Sequence, residues 1–353
     1  MEIIKETYNL NELSKAQSTY FKEDSLLFDI ECLGLTPKKY PIYLICCAYR
    51  SDCEVTLVQF FANKSSEEEE LLIAFNELVS QYSNLISFNG TRFDTPFIIE
   101  RMAKYNMEFS GKLYPHLDLY LTLLKGKCIL NLTRYKQKTF EEFFGLFRED
   151  EYDGGKLIAV YNDYEKSQSK ELRHLLLLHN FEDVKGMITV INALVYIEYL
   201  DCNIISSSTT EEAEVVSIIS KTDIALPIMV SKETKYGLFI FKENIISGSL
   251  ELLKGHLNTY LKDYRNYIYI EAEDIIIPKQ IASNDIKKHN KAATKENCKI
   301  KKEGTFVRIP ASLVLPDNIH IFKPCYDSKV AYIQLSDLTD EIIAIILKFI
   351  IKH

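Results

Sequence analysis

Short apolar runs separated by turn residues open the chain. Residues 26–31, 42–49 and 55–61 are rich in β-branched and aromatic side chains, and each run is four to ten residues long. Runs of this length and composition predict β-strands. Residues 85–88 predict a fourth strand. We therefore expect three successive strands and, after an interval, a fourth.

Apolar residues recur at helical spacing between the third and fourth predicted strands and along most of the first part of the chain after the fourth. Apolar positions 71, 72, 75, 78 and 79 follow Ser66-Glu67-Glu68-Glu69, which predicts a capping box at the start of a helix. A second T-x-x-E box at Thr139 precedes another helix. The predicted later helices are residues 95–105, 139–144, 156–164 and two segments between 170 and 200. Strands followed by helices in this order predict an α/β fold with a mixed sheet flanked by helices.

The second part of the chain has a different pattern. Residues 224–230, 236–241, 266–270 and 330–335 predict short strands among helical patches, which indicates a smaller α+β region. The polar run at residues 206–212 is typical of a linker or surface loop. At 353 residues the chain is long enough for about two domains. We place them at residues 1–203 and 204–353.

Composition and charge narrow the class of protein. Hydrophobic residues make up 47% and charged residues 26%, which excludes a collagen-like or wholly disordered chain. No apolar stretch approaches the roughly 20 residues of a membrane span, and the charged N-terminus does not resemble a secretion signal. The eight cysteines form no C-x-x-C pair, so we expect reduced core residues rather than zinc ligands. These features predict a cytoplasmic protein without a membrane partner.

The net charge of −8 is unevenly distributed. Residues 1–203 carry 22 basic and 31 acidic side chains, whereas residues 204–353 carry 20 basic and 19 acidic side chains. The first part therefore holds all of the excess acid. An acidic surface ordinarily disfavours a nucleic-acid partner, so the positions of the acids matter more than their number.

Two acids share one face of the first predicted strand. Side chains two apart on a strand point the same way, so Asp29 and Glu31 lie together. Burying two unpaired carboxylates is unfavourable, and a bound divalent cation is one way to offset it. A solvated strand at the sheet edge is the alternative, and D-x-E alone favours it.

A third acid follows the fourth predicted strand. That strand ends at the turn formed by Asn89 and Gly90, and the next helix starts near Asp94 with Pro96 in its first turn. Asp94 or Thr95 is thus a candidate N-cap. The same position puts its carboxylate near the end of the strand, within reach of a site there.

The last pair lies in the predicted helical part. His179 and Asp183 are four residues apart, so on one helix they share a face. An imidazole and a carboxylate so placed can hold one water molecule or one metal ion. A solvated pair on the helix surface is the alternative.

Together these motifs resemble a known family. F-D-I-E at residues 28–31, S-F-N-G-x-x-F-D-x-P-F at 87–97 and the pair His179 and Asp183 are similar in order to the DEDD-type 3′–5′ exonucleases of the ribonuclease H-like superfamily. F-E-E-F-F-G-L at 140–146 with D-G-G at 153–155 resembles its YprB-like branch. The resemblance covers about residues 24–200.

The resemblance implies a ribonuclease H-like fold and a metal-dependent nuclease. It implies that two Mg²⁺ or Mn²⁺ ions are held by four carboxylates: Asp29, Glu31, Asp94 and Asp183. In members with this last spacing the residue four before the final Asp is usually Tyr, and in this chain it is His179. An imidazole in general has a pKa near neutrality, and such a group can orient or deprotonate the attacking water.

Substrate contacts are expected in two places. Asn89 and the neighbouring Arg92 are candidates beside the second motif, although an exposed arginine is usually only solvated. Residues 287–302 contain seven lysines and one acid, with tyrosines upstream, a combination that suits single-stranded nucleic acid. Lys287, Lys288 and Lys291 are the candidate contacts. A solvated lysine-rich loop is equally compatible with the sequence.

Two functions follow from these expectations. The first is a two-metal exonuclease that removes nucleotides from the single-stranded 3′ end of DNA or RNA, and an endonuclease is a variant of it. The second is a non-catalytic module that binds nucleic acid or a protein partner. Retention of all four acids favours the enzyme. Neither the motifs nor the lysines distinguish DNA from RNA, because they are expected to contact metal and phosphate rather than the 2′-hydroxyl.

Overall fold

The structure is a computed structural model, and it describes residues 1–150 and 154–353. These residues form two compact units, Met1–Glu198 and Tyr199–His353. Asp153 of the D-G-G motif lies outside the described residues. Within them no helix is both long and apolar enough to cross a membrane.

One six-stranded sheet forms the centre of the first unit. Its strands are β1 (Glu2–Asn9), β2 (Ser25–Cys32), β3 (Ile42–Ser51), β4 (Glu54–Phe61), β5 (Asn84–Ser87) and β6 (His116–Asp118). The spatial order is β1-β4-β3-β2-β5-β6. β5 pairs in parallel with β2 and with β6, and the other pairs are antiparallel. The sheet is therefore mixed, as the sequence predicts.

The four predicted strands are present, whereas β1 and the three-residue β6 were not predicted. β1 lies at the sheet edge and contains Glu2, Lys5 and Glu6, so its pattern lacks the apolar alternation of a central strand. Edge strands tolerate such charges because one side of their backbone is unpaired.

The helices of the first unit flank this sheet. They are α1 (Lys15–Tyr20), α2 (Glu68–Val79), α3 (Asp94–Lys104), α4 (Leu119–Leu123), α5 (Lys127–Leu130), α6 (Gln137–Phe143), α7 (Gly154–Ser167), α8 (Lys170–Val190) and α9 (Val195–Tyr199). The longest, α8, contacts β2, β3 and β4, and α2 contacts β3 and β4. The hydrophobic core formed by the sheet and these helices contains Phe28, Tyr43 and Phe75.

Both predicted capping boxes are absent. The α-helix after Ser66 begins at Glu68, behind a short 3₁₀ turn, and the side chain of Glu67 at its N-cap accepts no hydrogen bond from the first turn of the helix. Thr139 lies inside α6, whose N-cap is Lys136. The Glu68 carboxylate instead accepts a hydrogen bond from Arg101 Nε at 2.7 Å. Glu68, in the first turn of this helix, is therefore held by a buried ion pair.

The second unit is mainly antiparallel sheet. Its strands are β7 (Ile204–Glu211), β8 (Val215–Thr234), β9 (Gly237–Tyr260), β10 (Tyr267–Ile270), β11 (Ile275–Pro278), β12 (Lys291–Ala292), β13 (Lys299–Ile309) and β14 (Ala331–Gln334). They form a five-stranded sheet, β14-β13-β9-β8-β7, and a three-stranded sheet, β11-β10-β12. Two helices complete it, α10 (Asn284–His289) and α11 (Asp340–Lys352).

The prediction of a linker at residues 206–212 is wrong. Most of this run belongs to β7, which pairs with β8 in the register Ser207 to Ser220 and Thr209 to Ile218. β7 is an edge strand with mostly exposed side chains. Its polar composition therefore reflects its edge position rather than a loop.

Candidate active site

The central strand β2 presents two acids to α8. Asp29 Oδ2 accepts a hydrogen bond from Asn180 Nδ2 at 3.0 Å, and Glu31 Oε1 lies 3.4 Å from His179 Nε2. β2 lies between β3 and β5, so the alternative of a solvated edge strand is excluded. The two carboxylates therefore face the helix layer, as the alternation of side chains on a strand predicts.

Asp94 joins this strand from the start of α3. It is the first helical residue, whereas the N-cap is Phe93 and makes no side-chain cap. Its Oδ1 accepts a hydrogen bond from the backbone N–H of Ile30 at 3.3 Å, between Asp29 and Glu31 in sequence. The prediction that Asp94 is the N-cap is wrong, because the tertiary contact with β2 positions its carboxylate.

The last predicted pair lies on α8. His179 Nε2 is 3.2 Å from Asp183 Oδ2, one helical turn away. His179 is only 6% exposed, so the pair is not a solvated feature of the helix surface. α8 thus brings its imidazole and carboxylate to the same place as the acids of β2.

An arginine that the sequence reasoning did not identify binds Asp183. Arg148 Nη1 donates to Asp183 Oδ1 at 2.5 Å, while Nε and Nη2 donate to Glu141 at 2.5 and 2.7 Å. The side chains of Arg148 and Glu141 are 5% and 0% exposed. Gly186 permits this arrangement, because a Cβ there would lie 1.9 Å from Glu141 Oε1. The guanidinium is therefore a buried cation that fixes one oxygen of Asp183.

A second missed residue, Asp150, holds the imidazole from its other side. Asp150 Oδ2 accepts a hydrogen bond from His179 Nδ1 at 2.6 Å. The backbone N–H groups of Glu149 and Asp150 donate to the Glu182 carboxylate at 3.0 and 2.9 Å. Residues 148–150 thus follow the surface of α8 without forming a regular element. No periodic pattern in the sequence could have identified them.

Burial, and after it the neighbouring charges, raise the pKa of the acids of the site. Burial raises the pKa of Asp29 well above its usual range, and the charges of Asp183, Asp94 and Glu31 raise it further, while the Asn180 amide lowers it. Burial, followed by the charges of Asp183 and Asp94, does the same for Glu31. Burial raises the pKa of Asp94 to about 7, although its backbone hydrogen bonds oppose the shift. The folded chain therefore concentrates negative charge that a cation would stabilise.

An open cleft of about 650 Å³ borders these acids. Asp29 and Asp183 line it together with Asn89 and Arg92, so the structure brings both predicted substrate contacts of the second motif to the site. Arg92 is exposed. The lining also includes residues that were not predicted: Phe88, Tyr120, Tyr135, Lys136 and Gln137.

The predicted lysine contacts belong to the second unit. Lys287 and Lys288 are exposed in the last turn of α10. Lys291 is exposed on β12, where it pairs with Tyr269 of β10. Antiparallel partners point to the same face of a sheet, so this lysine and tyrosine lie side by side. Their contribution to substrate binding remains a prediction.

The residues of the site fit a hard divalent cation. Carboxylate oxygens are the ligands that Mg²⁺ and Mn²⁺ prefer in proteins. Within the described part of the chain, Glu31, His179 and Asp183 place one ligand atom each within 4.8 Å of the others. Asp29 and Asp94 interact electrostatically with Glu31 and Asp183. A cation among these side chains would offset the repulsion that raises the pKa of Asp29 and Glu31.

Comparison with known families supports the fold of the first unit. Residues 26–195 match the family model RNase_H_2, described as RNase_H superfamily. The resemblance to the ribonuclease H-like superfamily that the motifs indicate is confirmed at that level. No curated protein matches the chain.

Several solved structures are similar to the chain at low identity. The family B DNA polymerase of Pyrobaculum calidifontis is 14% identical, with a TM-score of 0.38, over 70% of this chain and 36% of the polymerase. E. coli exonuclease I in a zinc-bound complex with single-stranded DNA is 13% identical, with a TM-score of 0.30, over 61% of this chain. The same enzyme with a dT13 oligonucleotide is 10% identical, with a TM-score of 0.31. This chain spans 54% of each exonuclease chain, and such distant likenesses do not establish an activity.

Proposed function

We propose that this chain, whose residues 26–195 form a ribonuclease H-like domain, is a metal-dependent 3′–5′ exonuclease that hydrolyses phosphodiester bonds in DNA or RNA. One observation carries the proposal. Carboxylates from three segments far apart in sequence, on β2, α3 and α8, converge beside an open cleft. A fold that required these acids only for stability would not need to bury like charges together.

The four carboxylates named from the sequence would hold the metal ions. When bound, two divalent ions in such a site activate a water molecule and stabilise the leaving oxygen of the phosphodiester. The chain's own contribution is to position the ligands. Asn180 fixes Asp29, the Ile30 amide fixes Asp94, and Arg148 fixes Asp183.

The cleft provides the features that a single-stranded 3′ end requires. Phe88, Tyr120 and Tyr135 offer aromatic surface on which unpaired bases can stack. Arg92 and Lys136 supply positive charge for the phosphates, which the acidic centre would otherwise repel. We therefore assign the terminal nucleotides to this cleft.

Degradation of labelled oligonucleotides tests the proposal. Purified protein is incubated with single- and double-stranded DNA and RNA, each with the 5′ or the 3′ end blocked, in Mg²⁺, Mn²⁺ or EDTA. We expect shortening from free 3′ ends that requires a divalent metal. Asp29→Asn should abolish it with an unchanged circular dichroism spectrum, while Asp163→Asn, at an exposed position on α7, should retain it.

The same assay separates the alternative function. Binding of an oligonucleotide without degradation under any of these conditions would refute the enzyme and favour a non-catalytic module. A further substrate with both ends blocked completes the set, and its internal cleavage would instead identify an endonuclease.

A further inference from the structure

The imidazole of His179 lies beside two carboxylates of the candidate site. Its Nε2 lies 3.4 Å from Glu31 Oε1 and 3.2 Å from Asp183 Oδ2, and the ligand atoms of these three residues lie within 4.8 Å of one another. His179 is almost fully buried. The imidazole nitrogen is therefore close enough to both carboxylates to share a cation with them.

The other ring nitrogen of His179, Nδ1, already has a hydrogen-bond partner. Nδ1 donates to Asp150 Oδ2 at 2.6 Å, and because a carboxylate only accepts, the proton lies on Nδ1. In the neutral imidazole the lone pair is then on Nε2. With Nδ1 held by Asp150, the Nε2 atom is the one that faces Glu31 and Asp183, and it can offer its lone pair to a cation beside their oxygens.

We propose that Nε2 of His179, with Glu31 and Asp183, ligates a divalent transition-metal ion, so that this centre binds Mn²⁺ in preference to Mg²⁺. The inference rests on the metal centre of the proposed function and adds a nitrogen ligand to its carboxylates. Imidazole is a good ligand for first-row transition ions, whereas Mg²⁺ favours oxygen ligands. A nitrogen at the centre therefore shifts the preference toward the transition metal.

Two buried contacts orient the ligands for this role. Asp150 fixes the ring and its tautomer, in the carboxylate, histidine and metal arrangement common at metal sites. Arg148 occupies Oδ1 of Asp183 and leaves Oδ2 facing His179. Both contacts come from residues 148–150, so one segment sets the positions of two ligands.

Coordination also excludes the base role expected from the sequence. A nitrogen whose lone pair is donated to a metal ion cannot accept a proton from the attacking water. The imidazole would instead act through the ion that it helps to hold.

Pulsed electron paramagnetic resonance of the full-length protein with limiting Mn²⁺ tests the assignment directly. Nitrogen bound to Mn²⁺ produces a ¹⁴N modulation that carboxylate and water ligands do not. We expect this modulation in the wild type and in His174→Gln, an exposed histidine on the same helix, and its loss in His179→Gln. A wild type without the modulation, or a His179→Gln variant that keeps it, would overturn the inference.

Metal affinity provides a second measurement that does not depend on the His179 variant. Asp150→Asn keeps every proposed ligand but weakens the hold on Nδ1. Loss of such an outer contact typically lowers metal affinity by about 10–100-fold. We expect a loss of about this size in the Mn²⁺ affinity of Asp150→Asn, and a change of under about threefold in its Mg²⁺ affinity. Titration calorimetry measures both affinities. Equal effects on the two ions, or none on Mn²⁺, would contradict the proposal.

These measurements contain no nucleic acid, so they are independent of the exonuclease assay. A nitrogen ligand found in a protein that degrades no substrate would support the metal assignment and refute the proposed activity. Degradation by a protein whose Mn²⁺ shows no nitrogen ligand would do the reverse.

Discussion

Replacing Arg148 by Met should destabilise the first unit strongly. Arg148 is nearly fully buried between Glu141 and Asp183, and Glu141 is completely inaccessible to water. Removing one partner of a buried ion pair typically costs about 3–5 kcal/mol, because the remaining charge stays desolvated. Gln137 continues to donate to Glu141 at 2.8 Å, so we expect the lower end, about 3 kcal/mol.

Urea unfolding in EDTA, followed by far-ultraviolet circular dichroism, measures this change. With a urea dependence of about 2 kcal/mol per molar, a loss of about 3 kcal/mol lowers the midpoint of the first unit's transition by about 1.5 M. Arg173→Met is the matched control. Arg173 pairs with Glu2 on the surface, where the two side chains are 31% and 42% exposed. Such pairs contribute about 0–1 kcal/mol.

The comparison of the two variants decides the outcome. If Arg148→Met shifts the midpoint no more than Arg173→Met does, Arg148 does not neutralise a buried charge, and its role in positioning Asp183 fails with it. The double variant with Glu141→Gln should recover part of the loss, because the carboxylate left unpaired by the first substitution is then removed.

Three further predictions concern pH, packing and salt. In EDTA the folded state binds a proton at Asp94 more tightly than the unfolded chain does, because the pKa of Asp94 is raised to about 7 in the folded state. The contribution of Asp94 to stability therefore falls as pH rises from about 4 to about 7, and urea midpoints should show this decline. An equal decline in Asp94→Asn would contradict this prediction. Gly186→Ala would press a methyl group against the Glu141 carboxylate and should lower stability by about 1–3 kcal/mol, whereas an unchanged urea midpoint would refute the close approach. Changing the three candidate lysines of the second unit to Gln should reduce the slope of log affinity against log salt for single-stranded DNA by about 2, and an unchanged slope would mark them as solvated only.

Short-range geometry explains what could be predicted from the sequence. Alternation along β2 puts Asp29 and Glu31 on one face, and helical periodicity puts His179 one turn from Asp183. Both relations hold for any strand or helix, so they needed only the correct element. The mixed sheet and the motif order likewise follow from the pattern of elements.

The errors have a common physical cause. Asp94 was predicted as a cap from its place near the helix start, but its carboxylate accepts from the Ile30 amide, a partner distant in sequence. Glu68, in the first turn of α2, likewise binds the distant Arg101. Buried tertiary hydrogen bonds to a carboxylate are stronger than exposed local ones, so they determine where these acids point. The polar strand β7 was missed for a similar reason, since pairing with β8 rather than composition makes it a strand.

The sequence by itself determined the fold class, the strand and helix that carry the acids, and the four carboxylates and one imidazole of the candidate site. Only the tertiary structure decided their surroundings. Arg148 reaches Asp183 across 35 positions, and Asp150 reaches His179 across 29, from a segment without periodic structure. Such contacts arise because a buried charge must find a partner in the folded chain, and no local pattern encodes which residue that partner will be.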